Sequence, residues 1–430
     1  MPTVAKVNIW GNMVGAVAWD EKRNCAVFEF ESTFLKKGFD LSPLLMPLEE
    51  IRNGKKTFSF QYLNEETFKG LPGLLADSLP DRFGNRVIEI WLAREGRDPK
   101  SFNSVERLCY IGKRGMGALE YEPAYKGYDD SNPIEIKSLV KLAKQILSEK
   151  KQLQTNIHAD TYKGLVDIIR VSTSAGGARA KAIIAYNKNT GDVRSGQIDG
   201  LEDYEYWIIK FDGMVDKLLG APQGYCKIEY AYYLMATKCG IQMSECSLLH
   251  ENKRSHFMTK RFDRVGNTKL HLQTLCALNH FDYNDPASYS YEQAFQTMRR
   301  LRLPYFEIEE FYRRMAFNVI ARNQDDHTKN ISFLMDEKGQ WKLSPAYDVT
   351  YSFNPANVWT RVHQMSINKK RDEIERKDLI ELAGNMNIKK PNEIIENTIE
   401  VVSQWRYFAK DAGVDPKQVH AIGKTHLLKI

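Results

Sequence analysis

Short, mostly apolar runs at Val7–Trp10, Val14–Trp19 and Cys25–Glu31, separated by glycine and charged turns, predict a β-rich start. The stretch from Phe68 to Gly84, FKGLPGLLADSLPDRFG, punctuates an apolar background with two prolines and three glycines. It predicts an ordered irregular segment leading into a helix over Asn85–Arg94. Leu108–Tyr121 predicts a glycine-punctuated turn and strand pair, and the polar Glu122–Ile136 a linker. Ile136–Leu153 has the spacing of an amphipathic helix. Beyond it the pattern alternates: a small-residue turn before a strand in Val171–Ile184, a strand at Tyr206–Phe211, a helix at Gly224–Lys238 and a strand at Phe257–Arg264. A helix at Phe311–Ile320 then precedes a strand at Ile331–Leu334, a turn at Asp336–Gly339 and a returning strand at Trp341–Leu343. From about Arg371 the pattern is largely helical. No internal repeat or low-complexity tract occurs.

At 430 residues the chain can form two or three domains. Apolar residues make up 43% and charged residues 27%, ordinary for a soluble globular protein. A net charge of +6 is compatible with phosphate-bearing ligands or nucleic acid but demonstrates neither. No apolar stretch approaches the length that spans a bilayer, and no leader pattern opens the chain. The six cysteines are scattered, with no CxxC and no zinc spacing alongside histidine, which predicts reduced, mostly buried thiols in a cytoplasmic protein.

The most informative stretch is ARNQDDHTKNISFLMDEKGQWKLSPAYDV, Ala321 to Val349. It places an acid, Asp325, five positions before an amide, Asn330, and brings a second acid, Asp348, after the predicted hairpin. Protein kinases use this layout, because phosphoryl transfer needs a carboxylate to orient and accept the attacking hydroxyl's proton, and hard oxygen ligands for Mg²⁺. The alternative is a polar loop of turn-forming residues between helix and strand. Elsewhere, VSTSAGGARAKAII carries small residues whose backbone N–H groups can approach phosphate oxygens, and it includes Ser172, Ser174 and Lys181. It has neither GxxxxGK[ST] nor GxGxxG, and a plain turn before a strand remains open. Lys210 ends the strand YWIIKF and needs an anionic partner or an exit to solvent; Glu229 on the next helix is the candidate, against two unrelated surface charges. FMTKRFDR lies where a nucleotide hinge would fall, with Asp263 able to accept from a ribose hydroxyl.

Assembled in order, FKGLPGLLADSLPDRFG, GMGALEYEP, SAGGARAK, WIIKF, KIEYAYYLMATKCGI, KRFDR, RNQDDHTKN and LSPAYDVT resemble the HipA family of serine/threonine kinases, the toxins of bacterial type II toxin–antitoxin systems. The resemblance covers nearly the whole chain. It implies an α+β, protein-kinase-like (HipA-like) two-lobed fold, with a β-rich N-terminal subdomain over residues 1–125, the rest of the N-lobe over 126–265 and a mainly helical C-lobe over 266–430. It also implies Asp325 as catalytic base, supported by His327, and Asn330 and Asp348 as magnesium ligands. ATP would be held by Lys210, with Lys181, Gly176, Gly177 and Ala178 on the phosphate side and Phe262 and Asp263 on the hinge side. Ser174 falls where the family autophosphorylates a serine, although Ser172 and Thr173 stand beside it. One departure is Asp326, where the family often has glycine, which leaves two carboxylates as candidates for the base.

The expected activity is therefore ATP- and Mg²⁺-dependent serine/threonine phosphorylation by a toxin restrained by a small DNA-binding, HipB-like antitoxin, with operator DNA reached through that antitoxin and no membrane involved. An aminoacyl-tRNA synthetase is the protein substrate of the best-known members. Two alternatives stand beside it: a catalytically idle binding module within an antitoxin–operator complex, and a small-molecule or lipid kinase.

Overall fold

Strand β1 (Val4–Ile9) turns its alternate residues Ala5, Val7 and Ile9 inward, and all three are buried. It pairs with β2 (Asn12–Asp20), which pairs with β3 (Cys25–Phe30); β4 (Thr57–Phe58) and β5 (Leu119–Glu122) complete an antiparallel sheet of order β4-β3-β2-β1-β5. Gly15 is required where β2 meets β3, because a Cβ there would collide with the carbonyl oxygen of Glu29. The computed structural model describes residues 3–125, 133–148, 179–197, 200–214, 224–266 and 268–430. The chain divides into two compact units: residues up to 223 with 249–272 and 336–339, and residues 224–248, 273–335 and 340–430.

The first unit holds most of a second five-stranded sheet. Its strands are β6 (Lys181–Tyr186), β7 (Val193–Ser195), β8 (Glu205–Lys210), β9 (Cys246–Glu251) and β10 (Arg254–Lys260), in the order β7-β6-β8-β10-β9. β6 lies inside the sheet and is buried from Lys181 to Ala185, which accounts for an apolar run without alternation. Helices Arg82–Arg94 and Ile136–Ser148 supply Phe83, Val87, Leu139 and Val140 to one core with Ala182, Ile184, Trp207 and Ile209 of the sheet. Two expectations change here. Part of the predicted turn and strand pair is a helix, Ser104–Ile111, started by a capping box in which Asn103 accepts from the Glu106 N–H and the Glu106 carboxylate accepts from the Asn103 N–H. The strand expected to run to Arg264 stops at Lys260; a turn follows, then a small hairpin of β11 (Arg264–Val265) and β12 (Thr268–Lys269).

β13 (His271–Thr274) carries the chain onward to the mainly helical second unit. Its helices are Tyr225–Lys238, Leu275–Asn279, Tyr291–Arg300, Tyr305–Ile320, Arg376–Met386, Pro391–Ser403, Trp405–Asp411 and Pro416–Gly423. Helix Tyr305–Ile320 buries Phe311, Tyr312, Met315, Ala316 and Val319 and packs on Pro391–Ser403. β14 (Ser332–Met335) and β15 (Trp341–Leu343) form an antiparallel hairpin with Phe333 opposite Leu343. The architecture is the α+β arrangement that the sequence implied, β-rich first and mainly helical last. All six cysteines are buried, and none of them forms a disulfide. Among the described residues no helix is long and apolar enough to cross a membrane.

Candidate active site

The loop after helix Tyr305–Ile320 is built by its own polar side chains. Asn330 donates through Nδ2 to the main-chain carbonyl of Asp325 at 2.8 Å, and its N–H donates to the His327 carbonyl at 2.9 Å. Thr328 donates through its hydroxyl to the carbonyl of Phe281 at 3.0 Å, and Tyr347 through its hydroxyl to that of Lys329 at 2.7 Å. These bonds satisfy backbone carbonyls that neither helix nor strand engages. Asp348 follows β15 in the left-handed region, φ 52°, which acidic side chains tolerate better than bulky ones.

Asp325, Asn330 and Asp348 line one cleft in the second unit, together with Asp326, Arg314 and Tyr347. The two adjacent carboxylates differ sharply. Asp325 has 47% of its side chain exposed, with His327 Nε2 lying 3.8 Å from its Oδ1. Asp326 has 1% exposed, and three donors fill it: the Tyr291 hydroxyl at 2.7 Å, His363 Nδ1 at 2.8 Å and the Gln364 N–H at 2.7 Å. Burial pulls the Asp326 carboxyl upward, but His363 and the other donors outweigh it and hold the group below the usual carboxylate range. Burial, with Asp326 beside it, pushes the Tyr291 hydroxyl well above its ordinary value. Of the two acids that sequence left open as base, Asp325 alone is open to a substrate hydroxyl.

A divalent cation would need oxygen donors here. Asn330 commits its amide nitrogen to the Asp325 carbonyl and so keeps its oxygen as the cation-binding end, while Asp348 adds a carboxylate to the same cleft. Two protein oxygens fit Mg²⁺, which retains water and takes its remaining ligands from phosphates. No group of three His, Cys, Asp or Glu side chains suited to a metal occurs among the described residues.

The remaining expected residues lie on other elements. Lys181 opens β6 with its side chain 4% exposed and its Nζ 3.3 Å from Asp81 Oδ2. Asp81 also caps helix Arg82–Arg94, accepting from the Gly84 N–H at 2.7 Å. Lys210 ends β8 directly opposite Lys181, with its ammonium 5.6 Å from the ring centre of Phe257. Glu229 is buried on helix Tyr225–Lys238 in the second unit, whereas Lys210 belongs to the first. Gly176, Gly177, Ala178 and Ser174, like Ser172 and Thr173, lie outside the described residues.

Asp263 requires a correction. Its carboxylate is 0% exposed and accepts from Arg261 Nε at 2.9 Å, Arg261 Nη2 and the Gly117 N–H at 2.7 Å, and Arg264 Nη1 at 2.8 Å. Against the cost of burial, the two guanidinium groups hold it far below the usual carboxylate range. A group so enclosed is not open to a ribose hydroxyl; it joins the end of β10 to the Gly115–Gly117 turn. Phe262, half-buried, sits in the same turn. Tyr291, His363 and Gln364 escaped the sequence reading because nothing near them in the chain signals their contact with Asp326.

A family model for the HipA-like C-terminal domain matches residues 173–406, and one for the HipA N-terminal domain matches residues 5–122. Among solved structures, a chain of the Shewanella oneidensis MR-1 toxin–antitoxin complex of HipA, HipB and operator DNA superposes with a TM-score of 0.64. The match covers 98% of this chain and 95% of that one at 15% identity, a likeness of fold. CtkA, a proinflammatory kinase of Helicobacter pylori, is matched over 59% of this chain and 90% of its own at 12% identity, with a TM-score of 0.36. No curated protein matches at the level of sequence.

Proposed function

The chain belongs to the HipA family, and from that premise we propose that it is an ATP- and Mg²⁺-dependent serine/threonine protein kinase, the toxin of a HipBA-like module. The observation that carries the reading is the meeting of Asp325, Asn330 and Asp348 in one cleft, with the Asn330 amide fixed on the Asp325 carbonyl. Asp325 orients a substrate hydroxyl and accepts its proton as the hydroxyl oxygen bonds to the γ-phosphorus of ATP. The bond from that phosphorus to the β–γ bridging oxygen breaks, and ADP leaves. His327 supports Asp325 from 3.8 Å. Asn330 and Asp348 are the residues that would hold Mg²⁺, which when bound offsets the negative charge of the nucleotide phosphates. Lys210, Lys181, Gly176, Gly177 and Ala178 are the residues that would bind the phosphates. Phe262 lies toward the base. Asp263 acts there only through the turn that it holds.

Regulation follows from the family: phosphorylation of Ser174 adds a dianion beside the nucleotide phosphates and switches the kinase off. A HipB-like antitoxin restrains the protein and brings it to operator DNA, a partnership supported by the composition of the Shewanella complex. The substrate is a protein, with an aminoacyl-tRNA synthetase the first to test, and the location is the cytoplasm, supported by six buried cysteines outside any disulfide.

The test is transfer of labelled γ-phosphate by the purified full chain with Mg²⁺, beside Asp325→Asn. Label on protein that disappears in the variant is expected. Label confined to metabolites or lipids would make the chain a small-molecule kinase. Absence of transfer by the native chain, with both proteins acting alike in cells, would make it a binding module.

A further inference from the structure

Asp325 is flanked by two residues, Gln324 and Asp326, that engage the same downstream segment. On one side, the Gln324 amide, in the orientation that satisfies its neighbours, donates to the Thr360 carbonyl at 3.0 Å and accepts from Arg322 Nη1 at 3.1 Å. On the other, Asp326 accepts from His363 Nδ1 and from the Gln364 N–H, and the Gln364 side chain donates in turn to the Trp359 carbonyl. A second line of bonds reaches Asp326 from the preceding helix: Asn323 Nδ2 donates to Asn318 Oδ1 at 2.9 Å, Asn318 Nδ2 to the Tyr291 hydroxyl at 3.0 Å, and that hydroxyl to Asp326. Gln324, Asp326 and His363 are all buried. Asp325, between them, is the exposed member of the run.

We propose that Asp326, clamped by His363 and Gln364, is a positioning residue that fixes where the Asp325 carboxylate stands and handles no proton itself. The inference rests on the kinase reading given above. Each bond to Asp326 constrains the peptide unit that it shares with Asp325, and Gln324 constrains the unit before it. Asp325 therefore has its main chain held from both sides by the segment Trp359–Gln364. Such a clamp matters to chemistry because a base displaced by an ångström loses most of its effect. His363 is the residue whose removal tests it most cleanly, since it touches Asp326 and lies outside the lining of the cleft.

The experiment compares the full chain with His363→Ala and His363→Asn, the second able to place an amide nitrogen near the former Nδ1 position. Two readouts are taken with ATP and Mg²⁺: kcat and KM for labelled phosphate transfer, and hydrogen exchange of the peptide covering residues 322–332. The expected result for His363→Ala is a fall in kcat of about tenfold to a hundredfold, a KM for ATP changed by less than about threefold, and faster exchange in that peptide alone. His363→Asn is expected to restore most of both. If the native chain transfers phosphate while His363→Ala keeps its kcat, or shows unchanged exchange over 322–332, the proposal is overturned and the kinase reading stands. The proposal is also overturned if exchange rises throughout the second unit and His363→Asn restores nothing, which marks a purely structural role. A native chain that transfers no phosphate overturns the kinase reading and this inference together.

Discussion

The side-chain amide of Asn330 donates to the main-chain carbonyl of Asp325 at 2.8 Å, tying the last residue of the loop to the residue that opens it. One side chain thus serves two ends: its nitrogen closes the loop and its oxygen remains for a cation. Asparagine suits both tasks, whereas aspartate has no donor.

Asn330→Asp is therefore expected to fail despite its added charge. A carboxylate oxygen would face the Asp325 carbonyl, and an unsatisfied or repelled pair of this kind costs about 1–3 kcal/mol. The expected outcome is phosphate transfer lowered by at least about tenfold, with faster hydrogen exchange over residues 325–330. Native exchange rates in the variant would show that the amide bond does not hold the loop.

Lys181 and Asp81 form an ion pair whose side chains are 4% and 3% exposed. Removing one partner leaves a charge stranded in the core, which typically costs about 3–5 kcal/mol. Asp81→Ala also removes the cap of helix Arg82–Arg94, worth about 1 kcal/mol, whereas Asp81→Asn can keep a capping oxygen. Urea unfolding should rank native above Asn above Ala. Equal midpoints for the two variants would mean that the cap contributes nothing.

Asp263 has a folded-state pKa held far below its unfolded value by Arg261 and Arg264. The stability that it contributes is fully present above the unfolded value, about 3.9, and is lost as pH falls from there toward the folded one. Asp263→Asn should lose stability at neutral pH and show a flatter decline below about pH 4. An unchanged acid limb in the variant would separate Asp263 from the acid response.

His271 acts in the same sense but in a higher window. It is wholly buried, its Nε2 3.4 Å from the Leu41 carbonyl, and burial lowers its pKa to about 4. Unfolded, it binds a proton near its ordinary value of about 6.5. Acidification between those two values therefore favours unfolding, by up to about 3 kcal/mol for a shift of this size. Replacing His271 with Gln should flatten the fall in urea midpoint between pH 7 and pH 5. A variant that keeps the native slope would assign the effect to other histidines, such as His426, also lowered to about 4 by burial.

What the sequence disclosed follows the range of the interactions. β1 to β3 were legible because short apolar runs bounded by glycine and charged turns are a local signal of strands. Asp325 and Asn330 were legible for a similar reason, since their bond spans five positions. The helix Ser104–Ile111 was misread because glycines downstream outweighed its capping box at Asn103 and Glu106, a start signal present in the letters. The enclosure of Asp263 was also signalled, by an arginine two places before it and another directly after. His363, Tyr291 and Asp81 were out of reach. Asp326 meets His363 across 37 positions and Tyr291 across 35, and no periodic pattern links partners that far apart.

The register of β6 on β8 sets Lys181 against Lys210, so pairing alone forces two ammonium-bearing side chains onto neighbouring positions of one sheet face. Asp81 cancels one of them from a helix start that belongs to an earlier part of the chain. The electrostatic potential around Lys210 is thereby governed from a distance of more than a hundred residues. A neutralising change at Asp81 would act as a gain control on that face, raising its pull on any polyanion without altering a single residue that touches it.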